Sequence, residues 1–382
     1  KSKITIFKMM QVNSYLNELL GNRKRILVTG GAGFIGGAVI RKLLKESTSK
    51  IFNIDKIGYA SDLTSIDEVL KTKDYSDRYK FKKIDLANSA QINKAINDSD
   101  PDLIMHLAAE SHVDRSIDDP SIFIQTNIIG TYNILEATRK YLRSVSKNKA
   151  KNFRLHHIST DEVFGSLGPT GLFNENTKYD PSSPYSSSKA SSDHLVRAWH
   201  RTFDIPVVIT NCSNNYGPFQ FPEKLIPLMI MNALNHRPLP IYGDGSQIRD
   251  WLYVDDHSDA LIEVVNKGNI GETYNIGGNC EKTNMELVNL ICEILDQLLA
   301  NDSRSYNFKE LIKFVEDRPG HDQRYAIDNS KIIDNLGWKP KESIESGLEK
   351  TIMWYLENSQ WYENIIKTKY SGHRLGVNRE KR

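Results

Sequence analysis

Thr29-Gly30-Gly31-Ala32-Gly33-Phe34-Ile35-Gly36 decides the fold. The apolar run at 25–29 reads as a strand, and the amphipathic pattern at 34–46, opened by Phe34 and Ile35, reads as a helix. Gly30, Gly33 and Gly36 stand at Gly-x-x-Gly-x-x-Gly spacing between them. One such glycine permits the turn, a second lets the backbone approach a pyrophosphate, and a third lets helix and strand pack closely. The helix N-terminus then faces the anion. Glycine clusters also serve ordinary turns, so the flanking strand and helix are what point to a dinucleotide.

Working outward, the same alternation continues. Further strands are expected at 51–55, 80–85, 103–108, 154–159 and 207–211, with helices at 90–98, 123–142 and 184–203. The strand runs are mostly continuous and apolar, as in parallel strands covered on both faces. Alternating β and α elements imply an α/β chain built on a doubly wound parallel Rossmann sheet. After Asn214 the pattern breaks into Gly- and Pro-punctuated loops, a run at 272–276 can rejoin the sheet, and helices are expected at 285–299 and 343–356. The expected organisation is an N-terminal extension at 1–23, a dinucleotide-binding domain at 24–213 plus about 251–278, and a smaller discontinuous substrate domain at about 214–250 plus 279–382. The stretch 301–307 reads as polar and exposed.

Bulk properties narrow the function. Fifty Lys and Arg against 48 Asp and Glu leave a net charge of +2, which argues against a nucleic-acid surface. No apolar run approaches a membrane span. Cys212, Cys280 and Cys292 are odd in number and lack metal-ligand spacing, so buried thiols in a reducing cytoplasm are expected, with no metal. The first 25 residues lack a signal-peptide core.

Asp55 ends the second strand about 20 residues beyond the glycine turn, where a carboxylate can hold ribose hydroxyls and repel a 2′-phosphate. NAD is therefore favoured over NADP. Asp85-Leu86 ends the third strand and reads equally as an adenine flank or a plain turn. Tyr185 and Lys189 lie four apart in a helical pattern and share a face. A nearby ammonium favours the phenolate, so the pair can take a hydroxyl proton as hydride leaves. Asp161 and Glu162 follow a strand whose C-terminal end lines the ligand crevice. Alcohol oxidation needs no carboxylate, so this pair suggests that a proton and a hydroxyl group also move; an acidic turn is the bland alternative. Thr160 can donate a hydrogen bond to the reacting hydroxyl. Asn214-Asn215-Tyr216-Gly217 reads as pyrophosphate-binding amides or as Asx turns. Arg249, Arg318 and His321 are candidate diphosphate ligands or plain solvated side chains. His106, inside an apolar strand, is expected to be packed rather than catalytic.

Together, Thr29–Gly36, the His106-Leu107-Ala108-Ala109-Glu110-Ser111 run, 159–165, Tyr185 with Lys189, 214–218, 222–227 and 317–322 resemble the nucleotide-sugar branch of the extended short-chain dehydrogenases, and within it the dehydratases acting on dTDP-glucose. The resemblance covers about residues 24 to 338. It implies that Tyr185 is the base at the C4 hydroxyl with Thr160 assisting. Asp161 is then the acid for the departing C6 hydroxyl, and Glu162 the base for the C5 proton. Leu107, Ala108, Ala109 and Thr126 match cofactor-contact positions, with Asn214 near cofactor and pyrophosphate. Ser111, Asn215, Lys224, Leu225, Pro240, Ile241, Tyr242, Arg249, Asn284, Arg318 and His321 match positions that hold the sugar nucleotide. It further implies a homodimer through the helices at 123–142 and 184–203, and a step toward deoxysugars such as rhamnose. Asn211, where an arginine is common, and Gly37, where a serine is frequent, depart from the pattern, as does a basic stretch at 143–154.

Two other functions compete. A 4-epimerase or decarboxylase of the same branch does not need the Asp161-Glu162 pair. A non-catalytic NAD-binding regulator need not keep Tyr185, Lys189 and the acids together. The sequence does not separate a thymidine from a uridine nucleotide.

Overall fold

The computed structural model describes residues 20–21, 23–71, 73–300, 307–318 and 320–369. Most of the expected N-terminal extension and 301–306 of the expected polar stretch lie outside them. Of that stretch, Asn307 is exposed.

The strands are β1 (Arg25–Thr29), β2 (Lys50–Asp55), β3 (Tyr79–Lys83), β4 (Leu103–His106), β5 (Arg154–Thr160), β6 (Val207–Cys212), β7 (Asn214–Tyr216), β8 (Leu239–Tyr242), β9 (Ile248–Tyr253), β10 (Thr273–Ile276), β11 (Glu281–Thr283) and β12 (Ile312–Val315). Seven form one sheet in the order β10-β6-β5-β4-β1-β2-β3, every neighbouring pair parallel. The order reverses beside β1, which opens a crevice at the carboxyl ends of β1 and β4. Alternate residues of β1 serve opposite faces. Ile26 and Val28 pack with Val39, Leu43 and Leu261, whereas Leu27 packs with Ile92, Ile134 and Leu155. Both faces are thus covered, as the continuous apolar strands required.

Helices Phe34–Glu46 and Pro184–Phe203 form over the expected residues. The second is set by a capping box at Ser183 and Ser186, with Pro184 in its first turn. The expected helix at 123–142 is instead a π-helical segment, Ile124–Ile129, running into an α-helix, Gly130–Ser144. The Asn127 side chain in that widened segment exchanges hydrogen bonds with both backbone groups of Glu110. Functional sites often exploit such bulges.

A separate core gathers Ile226, Ile230, Leu239, Leu287, Leu348 and Tyr355 from beyond Asn214. The expected boundaries differ from the packing at two points. Leu20, placed in the extension, joins the first core, and so do Ile332, Leu336 and Trp338, placed in the smaller domain. Helix Ser330–Leu336 packs against β10 and helix Val254–Lys267, so the chain crosses back once more.

Candidate active site

A cavity of ≈ 340 Å³ opens at the carboxyl ends of the strands. It is lined by the glycine turn, the ends of β2, β4 and β5, helix Pro184–Phe203 and the 212–226 segment. All five expected catalytic residues (Thr160, Asp161, Glu162, Tyr185 and Lys189) line it. So do the expected cofactor residues, from Gly30, Gly33, Phe34, Ile35 and Gly36 through Asp55, Asp85 and Leu86 to Leu107, Ala108, Ala109, Thr126 and Asn214.

The glycine turn leaves no room for a side chain at Gly30 or Gly36. Gly30 has φ +73°, and a Cβ there would stand 2.6 Å from the Ala108 backbone; one on Gly36 would stand 2.2 Å from the Gly30 carbonyl. This is a cradle that fits a dinucleotide pyrophosphate. The buried Asn214 Oδ1 has no hydrogen-bond partner. Asn214 begins β7, pairing with Trp251, so of its two readings the Asx turn is not the one formed. Asp55 accepts from Ala32 N (3.1 Å), Ile57 N (2.8 Å) and Ser61 Oγ (3.0 Å), which leaves lone-pair capacity for hydroxyl donors. Asp85 lines the cavity and also caps a turn through Ala87 N (2.9 Å). Thr126 Oγ1 accepts from Lys56 Nζ (2.9 Å).

β5 carries the acids. Thr160 ends it, and its hydroxyl caps a short 3₁₀ turn, Asp161–Phe164. Asp161 is 1% exposed with Oδ2 unpartnered. Burial, then the charges of Glu162 and Asp250, hold its carboxyl well above the usual range. Burial also raises Glu162, but Arg318, Lys224 and Arg249 oppose it.

Tyr185 differs from expectation. Burial pushes its phenol well above the ordinary value, and the charge of Glu162 adds to this. The Lys189 ammonium, one helical turn on, donates to the Ile158 carbonyl at 2.8 Å. The low dielectric and the carboxylates set the direction of this shift.

Among the expected substrate residues, Ser111, Asn215, Lys224 and Leu225 line the cavity with Thr160. Lys224 Nζ donates to Ser111 O (3.0 Å). Pro240, Ile241, Tyr242, Arg249, Asn284, Arg318 and His321 lie outside the lining. Ile241 is 1% exposed in the second core, because alternate residues of β8 point inward. Pro240 is half-buried on β8, and Tyr242, Arg249, Asn284, Arg318 and His321 are polar residues bonded outside that lining. Arg318 pairs with Asp114 (2.7 Å), which also accepts from Tyr242 OH (3.3 Å). Arg249 donates to Ile248 O and Asp322 O (2.8 and 2.9 Å) and lies over the Tyr325 ring. Asn284 Nδ2 approaches Gln247 Oε1 (3.5 Å). Burial, then Arg318 and Arg249, lowers His321 to about 4, so its 2.6 Å contact with Asp317 is a hydrogen bond of a neutral ring rather than an ion pair.

The sequence reading missed Glu223 and Tyr59. Glu223 is 8% exposed, accepts from Arg115 Nε (3.2 Å) and from Tyr59 OH, and lies in the cavity wall with Tyr59. The usable signal was a glutamate inside the apolar Phe221–Pro227 stretch, since a carboxylate there requires partners. Its partners are more than 100 residues away and invisible locally. His106 is packed as expected, held between Thr29 Oγ1 (2.7 Å) and Thr131 Oγ1 (3.0 Å).

Residues 27–351 match the family described as GDP-mannose 4,6 dehydratase. A dTDP-glucose 4,6-dehydratase of Neisseria meningitidis serogroup B (strain ATCC BAA-335 / MC58) is 54% identical over 356 residues, covering 93% of this chain and 99% of that one. The chain belongs to the dTDP-glucose 4,6-dehydratase family. Two solved members superpose well. The one from Bacillus anthracis str. Ames, in complex with NAD, gives a TM-score of 0.77 at 43% identity, covering 89% of this chain and 99% of that one. The one from Streptomyces venezuelae, with NAD bound, gives 0.79 at 40% identity and the same coverage. Among the described residues no helix is long and apolar enough to cross a membrane.

Proposed function

We propose that this cleft converts dTDP-glucose to dTDP-4-keto-6-deoxyglucose by oxidation at C4, loss of water across C5–C6 and reduction at C6. NAD, when bound along the glycine turn, supplies the reversible hydride acceptor. Tyr185 takes the C4 hydroxyl proton with Thr160 beside it. A phenolate disfavoured by burial and neighbouring carboxylates is, once formed, a strong base. The resulting ketone acidifies C5, whose proton Glu162 removes, while Asp161 protonates the departing C6 hydroxyl.

The unequal surroundings of the two adjacent carboxylates carry this reading. Asp161, buried with a free oxygen, keeps a proton to give; Glu162, facing three cations, is the easier to ionise. Neighbouring groups pushed apart in this way mark acid and base. In Asp161→Asn and Glu162→Gln, C4 oxidation should persist as a reduced-cofactor absorbance, while dehydration falls by about 10² to 10⁴. Undiminished dehydration in both would reject the roles. Product mass separates the readings, since an epimerase yields an isomer and a dehydratase loses water. Parallel incubations with dTDP-glucose and UDP-glucose address the base, where one methyl is worth about 1–3 kcal/mol.

We further propose a homodimer. Ile122, Ile124, Ile129, Tyr132 and Phe203 are exposed apolar residues of the 120–144 and 184–203 helical segments. Such clustering marks an interface. Tyr132→Asp with Ile124→Lys should halve the mass measured by light scattering; a monomeric wild type would refute it. Cys212, Cys280 and Cys292 are free thiols, which suits the cytoplasm, and recovery of the enzyme in a membrane fraction would count against that placement.

A further inference from the structure

Tyr185, Lys189 and Asp193 follow one another at intervals of four on helix Pro184–Phe203, so they share one face. Asp193 is 0% exposed, yet every contact it needs is made. His157 Nε2 donates to its Oδ1 (3.0 Å). Ser159 Oγ (2.9 Å), Tyr179 OH (2.8 Å) and Asn211 Nδ2 (3.4 Å) donate to Oδ2. His157 and Ser159 flank Ile158, the residue whose carbonyl accepts Lys189 Nζ. An anion and a cation one helical turn apart therefore grip consecutive residues of β5. That strand ends at Thr160, immediately before Asp161 and Glu162. Outside, Arg197 Nη2 donates to Tyr179 OH (2.8 Å) and Thr273 Oγ1 (3.2 Å), closing the network against β10.

We infer that Asp193 is a positioning residue for the reaction: its carboxylate clamps the helix bearing Tyr185 and Lys189 to the strand bearing Asp161 and Glu162, and it is the counter-charge of the buried Lys189 ammonium. Stability alone does not explain a fully buried carboxylate, because apolar replacements of buried ion pairs are often neutral or stabilising. The groups facing Lys189 are few. His106 on β4 and His157 on β5 are neutral, since burial holds both below the usual value. Burial pushes the Cys212 thiol on β6 up to about 12, so it too is neutral. Burial also disfavours the charged form of Tyr185, on the same helix. Asp193 remains as the anion; burial depresses Lys189, and Asp193 opposes that shift.

The inference rests on the proposed roles of Tyr185 and Lys189, so its test includes Lys189→Met. In the full chain with NAD bound, Asp193→Asn should move the alkaline limb of the kcat profile to lower pH by about one unit, because Lys189 loses its counter-charge. At pH 8, kcat should fall about tenfold, with KM for the sugar nucleotide changed less than twofold. In a Lys189→Met background, Asp193→Asn should cost less than twofold more. Full additivity, or an unmoved alkaline limb, overturns the inference while leaving the dehydratase reading intact. A fully active Lys189→Met overturns the reading itself. Should Asp193→Asn fail to fold, Tyr179→Phe and Ser159→Ala each remove one bond to Asp193 and keep its charge. A lowered kcat with an unmoved limb then supports the clamp, and wild-type kcat in both refutes it.

Discussion

Asp161 and Asp193 are both buried, on elements packed against each other, and they have been treated oppositely by the fold. Beneath the cavity, Asp193 receives four hydrogen bonds and faces Lys189 and Arg197. Burial alone would raise its pKa, but the His157 hydrogen bond and the neighbouring charges bring it below the usual carboxylate value. At the cavity wall, Asp161 leaves Oδ2 without a partner and is raised by burial, Glu162 and Asp250. The difference teaches that burial by itself decides neither charge nor role. Partners decide, and the group proposed to react is the one left short of them.

The widest test of this distinction uses a third buried residue beneath the cavity. His106 is neutral and bonded at both nitrogens to Thr29 and Thr131. If residues there act through satisfied contacts, His106→Leu should cost stability without touching the titration of the reacting groups. Two buried hydroxyls would each lose a partner while keeping another, so about 2 kcal/mol is expected in urea unfolding. Well below the melting temperature, the pH dependence of kcat should keep its wild-type shape. A displaced limb in this variant would break the distinction between the cavity wall and what lies beneath it.

That distinction also explains what the sequence could reveal. The glycine turn, the continuous strands and the Tyr185-Lys189 helix were legible because each is encoded locally, by a period, a cap or a fixed spacing. Helix Pro184–Phe203 carries its own start signal in Ser183-Pro184. By contrast, the helix Val254–Lys267 was hidden by its polar opening, Val254-Asp255-Asp256-His257. Those residues are explained only by partners far along the chain: Asp256 accepts from Lys341 N and Glu342 N, and His257 bonds Asn215. Glu223 was missed for the same reason. The residues proposed as catalytic were readable as chemistry, but the bonding of Asp193 was not, since its partners come from three separate segments. The effect of Lys189 on Tyr185 was misjudged because spacing shows that two groups are near without showing the dielectric between them.

The smallest effect isolates Asp161 itself. An acid whose folded pKa is raised favours the folded state fully only below its ordinary value of 3.8, and that contribution is lost as pH rises through the folded pKa. At neutral pH, Asp161 therefore burdens the native protein. Asp161→Asn should be more stable than wild type by about 1 kcal/mol at pH 7 to 8, even though dehydration is lost. The gain should shrink as the pH falls through and below 3.8, where the wild-type carboxyl becomes protonated in both states. Asp193→Asn must run the other way, because a lowered pKa contributes stability at neutral pH that is lost on acidification. Two aspartate-to-asparagine changes on neighbouring elements should thus move the melting temperature in opposite directions at pH 7. Parallel destabilisation of both would mean that Asp161 has partners the apposed strand and helix do not provide.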